Sequence, residues 1–264
     1  MTRFERITLL TAFAAALASA PVSAQDQPKQ DLPKQDLPKA ETILDRFVEV
    51  TGGKAAYQKH THEKMTGTIL VPEVGMTGNL VRYSAAPDKE YSSLQLGPLG
   101  KAESGFSGGV AWEKNAITGP RVKNGDEKAQ AQREALFNAQ ADWRKVFAKV
   151  ETIGSETVNG EDCYKVQVTP TLGKSETQFY SKKSGLLLKT ATTAVSPMGE
   201  IPVEVEVSDY KTFDGVLVAT HSKSKMGPQH LEITITDMSF DQPIEAELFE
   251  LPAEIKALAD KAAK

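Results

Sequence analysis

Residues 201–208 read IPVEVEVS, a stretch in which every second residue is Ile or Val. A period of two is typical of a β-strand that buries one face and exposes the other. The same alternation recurs at residues 164–169 and 231–236. After Asp237 the apolar positions shift by one residue, which predicts a β-bulge in that strand.

Seven further segments have a strand-like composition and are bounded by turn residues. They are residues 63–71, 77–84, 90–96, 110–114, 175–181, 186–195 and 216–225. Turn signals such as Asn159-Gly160 and Asp214-Gly215 separate these segments. Roughly ten short strands joined by tight turns predict a mainly β fold with one large, curled antiparallel sheet.

Helical patterns occur near both ends of the predicted domain. Apolar residues recur at helical spacing from Ile43 to Val50, and Gly52-Gly53 follows as a helix terminator. A short second helical turn is expected at residues 55–57, and another short helix near the C-terminus.

A further helical pattern interrupts the strands at residues 126–149. Leu136, Trp143, Phe147 and Val150 are spaced by seven, four and three residues, so a continuous helix would place them on one face. We therefore predict a helical insertion that packs this face against the concave side of the sheet.

The first 40 residues are expected to lie outside the domain. Residues 1–24 combine a basic start, an apolar stretch and a small-residue cleavage site at Ala24, as a signal peptide does. Gln25 stands where a lipidated protein would carry cysteine, so we expect an unlipidated periplasmic protein. Residues 25–40 contain three pentapeptides of the type QDLPK and predict an extended linker. The alternative interpretation of residues 25–40 is a docking tail for a partner. Residues 41–264 form the predicted single domain.

Composition restricts the possible functions. The 264 residues are 40% hydrophobic and 25% charged, as in ordinary globular proteins. A formal net charge of −4 argues against nucleic acid as a partner, which favours basic surfaces. The single cysteine, Cys163, provides neither an internal disulfide nor a Cys-rich zinc site.

Several short motifs occur in a characteristic order along the domain. They are ILDRF at 43–47 leading into TGG at 51–53, GEDCYKV at 160–166, FY at 179–180 with SGLL at 184–187, YKTFDGV at 210–216, and IEAELFELP at 244–252. In their order and spacing they resemble the outer-membrane lipoprotein-sorting proteins, the LolA-like carrier superfamily.

The resemblance implies a half-open antiparallel barrel whose concave, apolar side is covered by helices and receives acyl chains. It implies no catalytic residue and no cofactor. One feature departs from the family, in which an arginine directly before a proline on an early strand latches the helical lid. Ala86-Pro87 occupies that place here. Arg82 is the nearest substitute, and a strand arginine is by default expected to be solvated.

These observations lead to a carrier hypothesis. The protein would bind lipid or lipoprotein acyl chains, with envelope membrane proteins as further candidate partners. The candidate cavity-lining residues are Leu136, Trp143, Phe147, Trp112, Val203, Val205, Ile233 and Ile235. The aromatic residues among them could equally form a packed core. In that case a non-catalytic interaction or scaffold protein of the envelope, built on the same fold, is the alternative.

Two motifs could instead carry chemistry. GFSGG at residues 105–109 matches the letters of a serine-hydrolase nucleophile elbow around Ser107, which requires a strand before it and a helix after it. The flanking residues do not fit that pattern, so we expect a glycine-rich turn and no enzyme. His60 and His62 would point the same way on a strand and are weak candidates for metal ligands. Their charged neighbours favour an exposed strand end, and no metal is expected.

Overall fold

The computed structural model describes residues 37–196 and 199–262, which belong to one compact unit. The predicted signal peptide and most of the predicted linker lie outside these residues. The last linker residues lie against the domain, because the Thr152 hydroxyl donates a hydrogen bond of 2.8 Å to the carbonyl oxygen of Pro38.

Thirteen strands in the described residues form one antiparallel sheet that is curled but not closed. They are β1 (His62–Val71), β2 (Met76–Ala85), β3 (Lys89–Leu96), β4 (Gly100–Ser107), β5 (Val110–Asn115), β6 (Gly119–Val122), β7 (Phe147–Val158), β8 (Glu161–Pro170), β9 (Glu176–Ser181), β10 (Leu187–Ser196), β11 (Gly199–Phe213), β12 (Val216–Met226) and β13 (Gln229–Phe240). The predicted mainly β fold with a curled antiparallel sheet is confirmed.

The order of the strands explains why a helical segment crosses the sheet. Neighbours follow chain order in two runs, β1 to β6 and β7 to β13, and the two runs join where β1 pairs with β13. The edges of the sheet are therefore β6 and β7. The connection between them, residues 123–146, has to span from one edge of the sheet to the other.

The bulge predicted in β13 is confirmed, and it lies directly before Asp237. Thr66 of β1 lies opposite Asp237, and the next residue, Gly67, lies opposite Ile235. Thr236 is thus the extra residue in β13. The ten predicted segments do not include β4, β6 and β7. Glycine and proline dilute the apolar pattern of β4 and β6, and β7 begins inside the segment that was predicted to be helical.

Five α-helices occur in the described residues. They are α1 (Ala40–Val50), α2 (Gly53–Gln58), α3 (Gly125–Glu134), α4 (Trp143–Val146) and α5 (Ala253–Ala262). The apolar face of α1 packs against Val166, Val168 and Tyr180 of β8 and β9. Its end at Gly52-Gly53 agrees with the sequence, since both glycines have positive φ.

The prediction of one continuous helix over residues 126–149 is wrong. The chain leaves α3 after Glu134, runs irregularly to Asp142, forms the single turn α4 and enters β7 at Phe147. Asn138 has a φ of 55°, which a right-handed helix does not allow. Phe147 and Val150 belong to β7, where pairing with β8 replaces helical hydrogen bonds.

Candidate functional site

A cavity of about 610 Å³ lies between the concave face of the sheet and the helical segments. Its lining comes from α1, α2, residues 133–147 of the insertion, and strands β1–β3 and β9–β13. This volume falls within the range of roughly 300–1,000 Å³ that is typical of small-molecule sites. The cavity is the candidate functional site.

Four of the predicted cavity residues line this space. They are Leu136, Trp143, Phe147 and Ile235. Trp143 also packs into the core beside α1 and is only 5% exposed, so it closes one side of the cavity. Leu136 reaches the cavity from the irregular part of the insertion rather than from a helix.

The other four, Trp112, Val203, Val205 and Ile233, lie outside the lining of this cavity. Trp112 lies beside Tyr91, with ring centroids 6.3 Å apart. Tyr91 and the cavity-lining Glu90 are adjacent on one strand and therefore point to opposite faces. Gly105 leaves room for the indole, since a Cβ there would lie 2.9 Å from Trp112 Nε1. Trp112 thus packs on the face of the sheet that points away from the cavity. This placement corrects the expectation that it faces the ligand.

Further apolar side chains of the lining were not predicted. They are Leu44, Met65, Ala135, Val146, Leu187, Val207, Val216, Leu217, Val218, Ala219, Met238 and Phe240, with Phe47, Phe137 and Ala139. The shift of the apolar positions after Asp237 is the signal that could have found Met238 and Phe240. Because of the bulge, the even-numbered residues that follow it in β13 point inward.

Asp45 of α1 holds the insertion over the cavity. Its Oδ1 accepts hydrogen bonds from Trp143 Nε1 at 3.1 Å and from Arg144 Nη1 at 2.7 Å, and its Oδ2 accepts from Arg144 Nη2 at 2.7 Å. Bonding to Arg144 lowers the pKa of Asp45. A bidentate pair of this kind fixes geometry as well as charge.

The irregular part of the insertion is attached by contacts to backbone carbonyl oxygens. The Phe137 amide donates to the carbonyl oxygen of Pro87 at 3.0 Å, and Asn138 Nδ2 donates to that of Tyr57 at 2.7 Å. Arg82 Nη2 lies 3.5 Å from the carbonyl oxygen of Glu134, at the end of α3. These contacts hold residues 134–138 against the β2–β3 turn and α2.

Charged side chains also line the cavity, which the sequence analysis missed. Glu63, Ser84 and Glu90 stand side by side on β1, β2 and β3, since Ser84 lies opposite Glu63 on one side and Glu90 on the other. Arg82 lines the same cavity and lies 3.0 Å from Glu90 Oε2, so it is not the free, solvated side chain expected. Burial raises the pKa of Glu63 and of Glu90, with Arg82 acting in the opposite direction on both.

A second polar group on β9 forms a connected network. The Tyr180 hydroxyl donates to Gln178 Oε1 at 2.6 Å, and Gln178 Nε2 donates to Glu176 Oε1 at 2.7 Å. Arg133 of α3 lies 3.4 Å from the other oxygen of Glu176. This network joins the insertion to the sheet across the cavity.

The GFSGG motif is a hairpin and not a nucleophile elbow. Residues 105–107 end β4, Gly108 and Gly109 form the turn with positive φ, and Val110 begins β5. Ser107 pairs with Val110 across this turn. A strand follows Ser107 where a hydrolase would need a helix.

Both histidines lie against Asp241, and each ring also contacts a backbone carbonyl oxygen. His60 is 3% exposed, which corrects the expected exposed strand end: its Nδ1 lies 2.8 Å from Asp241 Oδ2, and its ring stacks on Phe240. His62 Nε2 lies 2.8 Å from the carbonyl oxygen of Gln242. Within the described ranges, no three His, Cys, Asp or Glu side chains are grouped as metal ligands would be.

Cys163 is completely buried in β8, and burial raises the pKa of its thiol. It therefore lacks the exposed thiolate that reactive cysteines present. Over residues 37–196 and 199–262, no helix has the length and apolar character needed to cross a membrane.

Solved structures with the same architecture include three bacterial proteins. A DUF1329 family protein from Desulfovibrio piger superposes with a TM-score of 0.54 at 16% identity, covering 80% of this chain and 97% of that one. A LolA superfamily protein from Nitrosomonas europaea gives 0.54 at 11% identity, with 81% and 99% covered. An outer membrane lipoprotein-sorting protein domain from Vibrio parahaemolyticus gives 0.51 at 15% identity, with 80% and 97% covered.

The chain has a LolA-like fold. At identities this low, the likeness establishes the fold and leaves the function to be argued from the cavity. No family model matches the sequence, and the comparison with curated proteins found no match. The LolA-like architecture agrees with the resemblance seen in the sequence motifs.

Proposed function

We propose that this protein is a periplasmic carrier that binds lipid or lipoprotein acyl chains in the cavity under its helices. The observation that carries the proposal is the cavity itself. In this LolA-like fold the helices do not pack flush onto the sheet but enclose about 610 Å³. A solid core at this place would have favoured the scaffold function instead.

The hydrophobic effect supplies the binding energy. Burial of an acyl chain contributes about 0.8 kcal/mol per CH₂ group. A twelve-carbon chain would therefore gain roughly 9 kcal/mol before the costs of ordering the chain and losing its free motion. The net affinity is then strong enough for carriage and weak enough for release.

The proposed location follows from the sequence and agrees with the fold. Residues 1–24 have the features of an export signal, and the proposed carrier is not lipidated, because Gln25 follows the cleavage site. A carrier in the periplasm has to exchange its cargo with membranes or with envelope membrane proteins, which are the proposed partners.

Displacement of a fluorescent dye tests the proposal with a matched pair of variants. Ile235 lines the cavity, whereas Ile233, two residues away on the same strand, lies outside its lining. Ile235→Trp should fill the cavity and weaken binding of N-phenyl-1-naphthylamine at least about tenfold, while Ile233→Trp should bind nearly as wild type. Thermal unfolding of both variants checks that each is folded.

Failure of the wild-type protein to bind the dye, or to exchange it for a fatty acid, would contradict the carrier. Equal binding by both folded variants would place the dye outside the cavity and would favour the scaffold function.

A further inference from the structure

The row of Glu63, Ser84 and Glu90 is an unusual lining for a cavity meant only for hydrocarbon. Across the sheet the row is flanked by Phe240 on β13, opposite Glu63, and by Phe106 on β4, opposite Glu90. Phe240 and Phe106 are both buried. The polar side chains thus form a bounded patch inside the cavity and not the rim of the sheet.

The polar row is incomplete. Ser84 is 3% exposed, and its Oγ makes no well-formed hydrogen bond, although it lies close enough to Glu63 to lower the pKa of that carboxyl. Arg82 Nε makes no hydrogen bond either. Glu90 Oε2 is paired in charge with Arg82 Nη2, at 3.0 Å, but accepts no hydrogen bond. Leaving a buried polar atom unsatisfied destabilises the folded protein, so three in one place point to a partner that enters the cavity.

The β9 side of the same cavity shows that the chain can satisfy such groups. There Tyr180, Gln178 and Glu176 form a continuous series of hydrogen bonds, and Arg133 pairs with the end of it. That network needs no further group. The row on β1–β3, by contrast, offers one free acceptor, one free donor and one hydroxyl to whatever enters the cavity.

The charge of the lining decides between possible head groups. Four carboxylates, on Glu63, Glu90, Glu134 and Glu176, line the cavity together with only two guanidinium groups, on Arg82 and Arg133. Arg82 is paired with Glu90 and Arg133 with Glu176, so a phosphate or carboxylate would have to compete with these carboxyl groups for either guanidinium. A hydroxyl or an ammonium group would instead donate to Glu90 Oε2 or to Ser84 Oγ, and a hydroxyl would in addition accept from Ser84 Oγ or Arg82 Nε.

We propose that the Glu63–Ser84–Glu90 row, with Arg82, binds the head group of an amphiphile that donates hydrogen bonds and carries no negative charge. The chain of the same molecule lies in the apolar part of the cavity, along Met65 and Ile235. This inference rests on the proposed carrier function and adds the chemistry of the head group to it. It makes the ligand a hydroxylated or amino lipid rather than a free fatty acid or a phosphate monoester.

A set of amphiphiles with the same twelve-carbon chain tests the proposal. Monolaurin carries hydroxyl groups, dodecylamine an ammonium, laurate a carboxylate and dodecyl phosphate a phosphate. Each is titrated, below its micelle concentration, against the mature protein loaded with N-phenyl-1-naphthylamine. We expect monolaurin, dodecylamine or both to displace the dye at concentrations at least about tenfold lower than either anion. Whichever of the two is preferred identifies the donor as hydroxyl or ammonium.

Three variants test whether the preference for donor head groups comes from the polar row. Ser84→Ala and Glu90→Gln should each reduce the preference for the donor head groups at least about threefold, measured against each variant's own affinity for the dye. Glu204→Gln is the control, because Glu204 follows Val203 on β11, is exposed and lies outside the cavity lining. Thermal unfolding of all three variants checks that each is folded.

The possible failures are distinguishable. If no amphiphile displaces the dye, the carrier function itself fails. If all four displace it equally, or if the anions bind best, the carrier stands and the proposed head-group site is overturned. A preference that persists in both Ser84→Ala and Glu90→Gln would also overturn it, because the row would not be its source.

Discussion

Asp241, directly after β13, binds the residues that lead into β1. Its Oδ1 accepts hydrogen bonds from the Thr61 amide at 2.9 Å and from the Thr61 hydroxyl at 3.0 Å, and its Oδ2 lies 2.8 Å from His60 Nδ1. Burial opposes ionisation of Asp241, but these hydrogen bonds outweigh it and lower the pKa of the carboxyl. The contacts join β1 to the end of β13, the junction between the two runs of the sheet.

Replacing this carboxylate should destabilise the fold and change its response to acid. Asp241→Asn should lower the free energy of unfolding by about 1–3 kcal/mol at pH 7. A carboxyl whose pKa is lowered by folding stabilises the protein above its unfolded pKa of about 4, and this contribution disappears as the pH falls. Urea unfolding between pH 7 and pH 3 should therefore show a shallower loss of stability in the variant than in wild type.

The control for that measurement is Asp237→Asn, an exposed position on the same strand. It should keep the wild-type dependence of stability on pH. An Asp241→Asn protein with the wild-type slope would show that the hydrogen bonds around Asp241 do not stabilise the fold.

At the level of elements, the insertion between β6 and β7 acts as the cover of the cavity. Little of it is regular, since α3 is followed by an irregular stretch and a single turn. Its position depends on individual contacts, of which the Asp45 bonds to Trp143 and Arg144 are the most extensive. Apolar packing also holds it, because Ala135, Ala141 and Trp143 are buried against the rest of the domain.

Removing Asp45 should loosen this cover. Asp45→Ala leaves the indole N–H of the buried Trp143 without its acceptor and removes the partner of the solvent-exposed Arg144, so the variant should be less stable than wild type. Hydrogen exchange should become faster in residues 135–146 while the sheet stays protected. Glu49→Ala, an exposed change on the same helix, should leave exchange as in wild type. Equal exchange in Asp45→Ala and wild type would mean that other contacts hold the cover.

The elements also show what the sequence could and could not predict. Strands such as β11 were predictable because one buried face leaves a period of two, and the bulge near Thr236 because it shifts that period. The helix over residues 126–149 failed because Leu136, Trp143 and Phe147 reach the cavity from three different conformations. Spacing along the chain is informative only where the backbone is regular.

The polar row was missed for a related reason. On β2 and β3 the aromatic residues Tyr83 and Tyr91 point to the outer face, whereas Arg82 and Glu90 point to the cavity. A rule that places apolar side chains inside assigns the two faces of these strands the wrong way round. Such local violations of patterning are expected at functional sites.

At the scale of the whole molecule, the order of the strands is what creates the cavity. The chain leaves the sheet at one edge, β6, and re-enters it at the other, β7, so its connection has to bridge a curled surface. A bridge over a concave sheet encloses space unless side chains fill it. Here the side chains leave about 610 Å³ unfilled. This space is bounded by apolar groups and by the polar row, in which some atoms lack a hydrogen bond.

We propose that this space holds a lipid chain. Native mass spectrometry of the protein, purified without detergent and compared before and after organic extraction, is the decisive measurement. We predict an added mass close to one lipid per protein chain that extraction removes, and its loss in Ile235→Trp but not in Ile233→Trp. A protein that carries no extractable mass, and that also fails to take up monolaurin, dodecylamine or laurate when these are supplied, would contradict the claim.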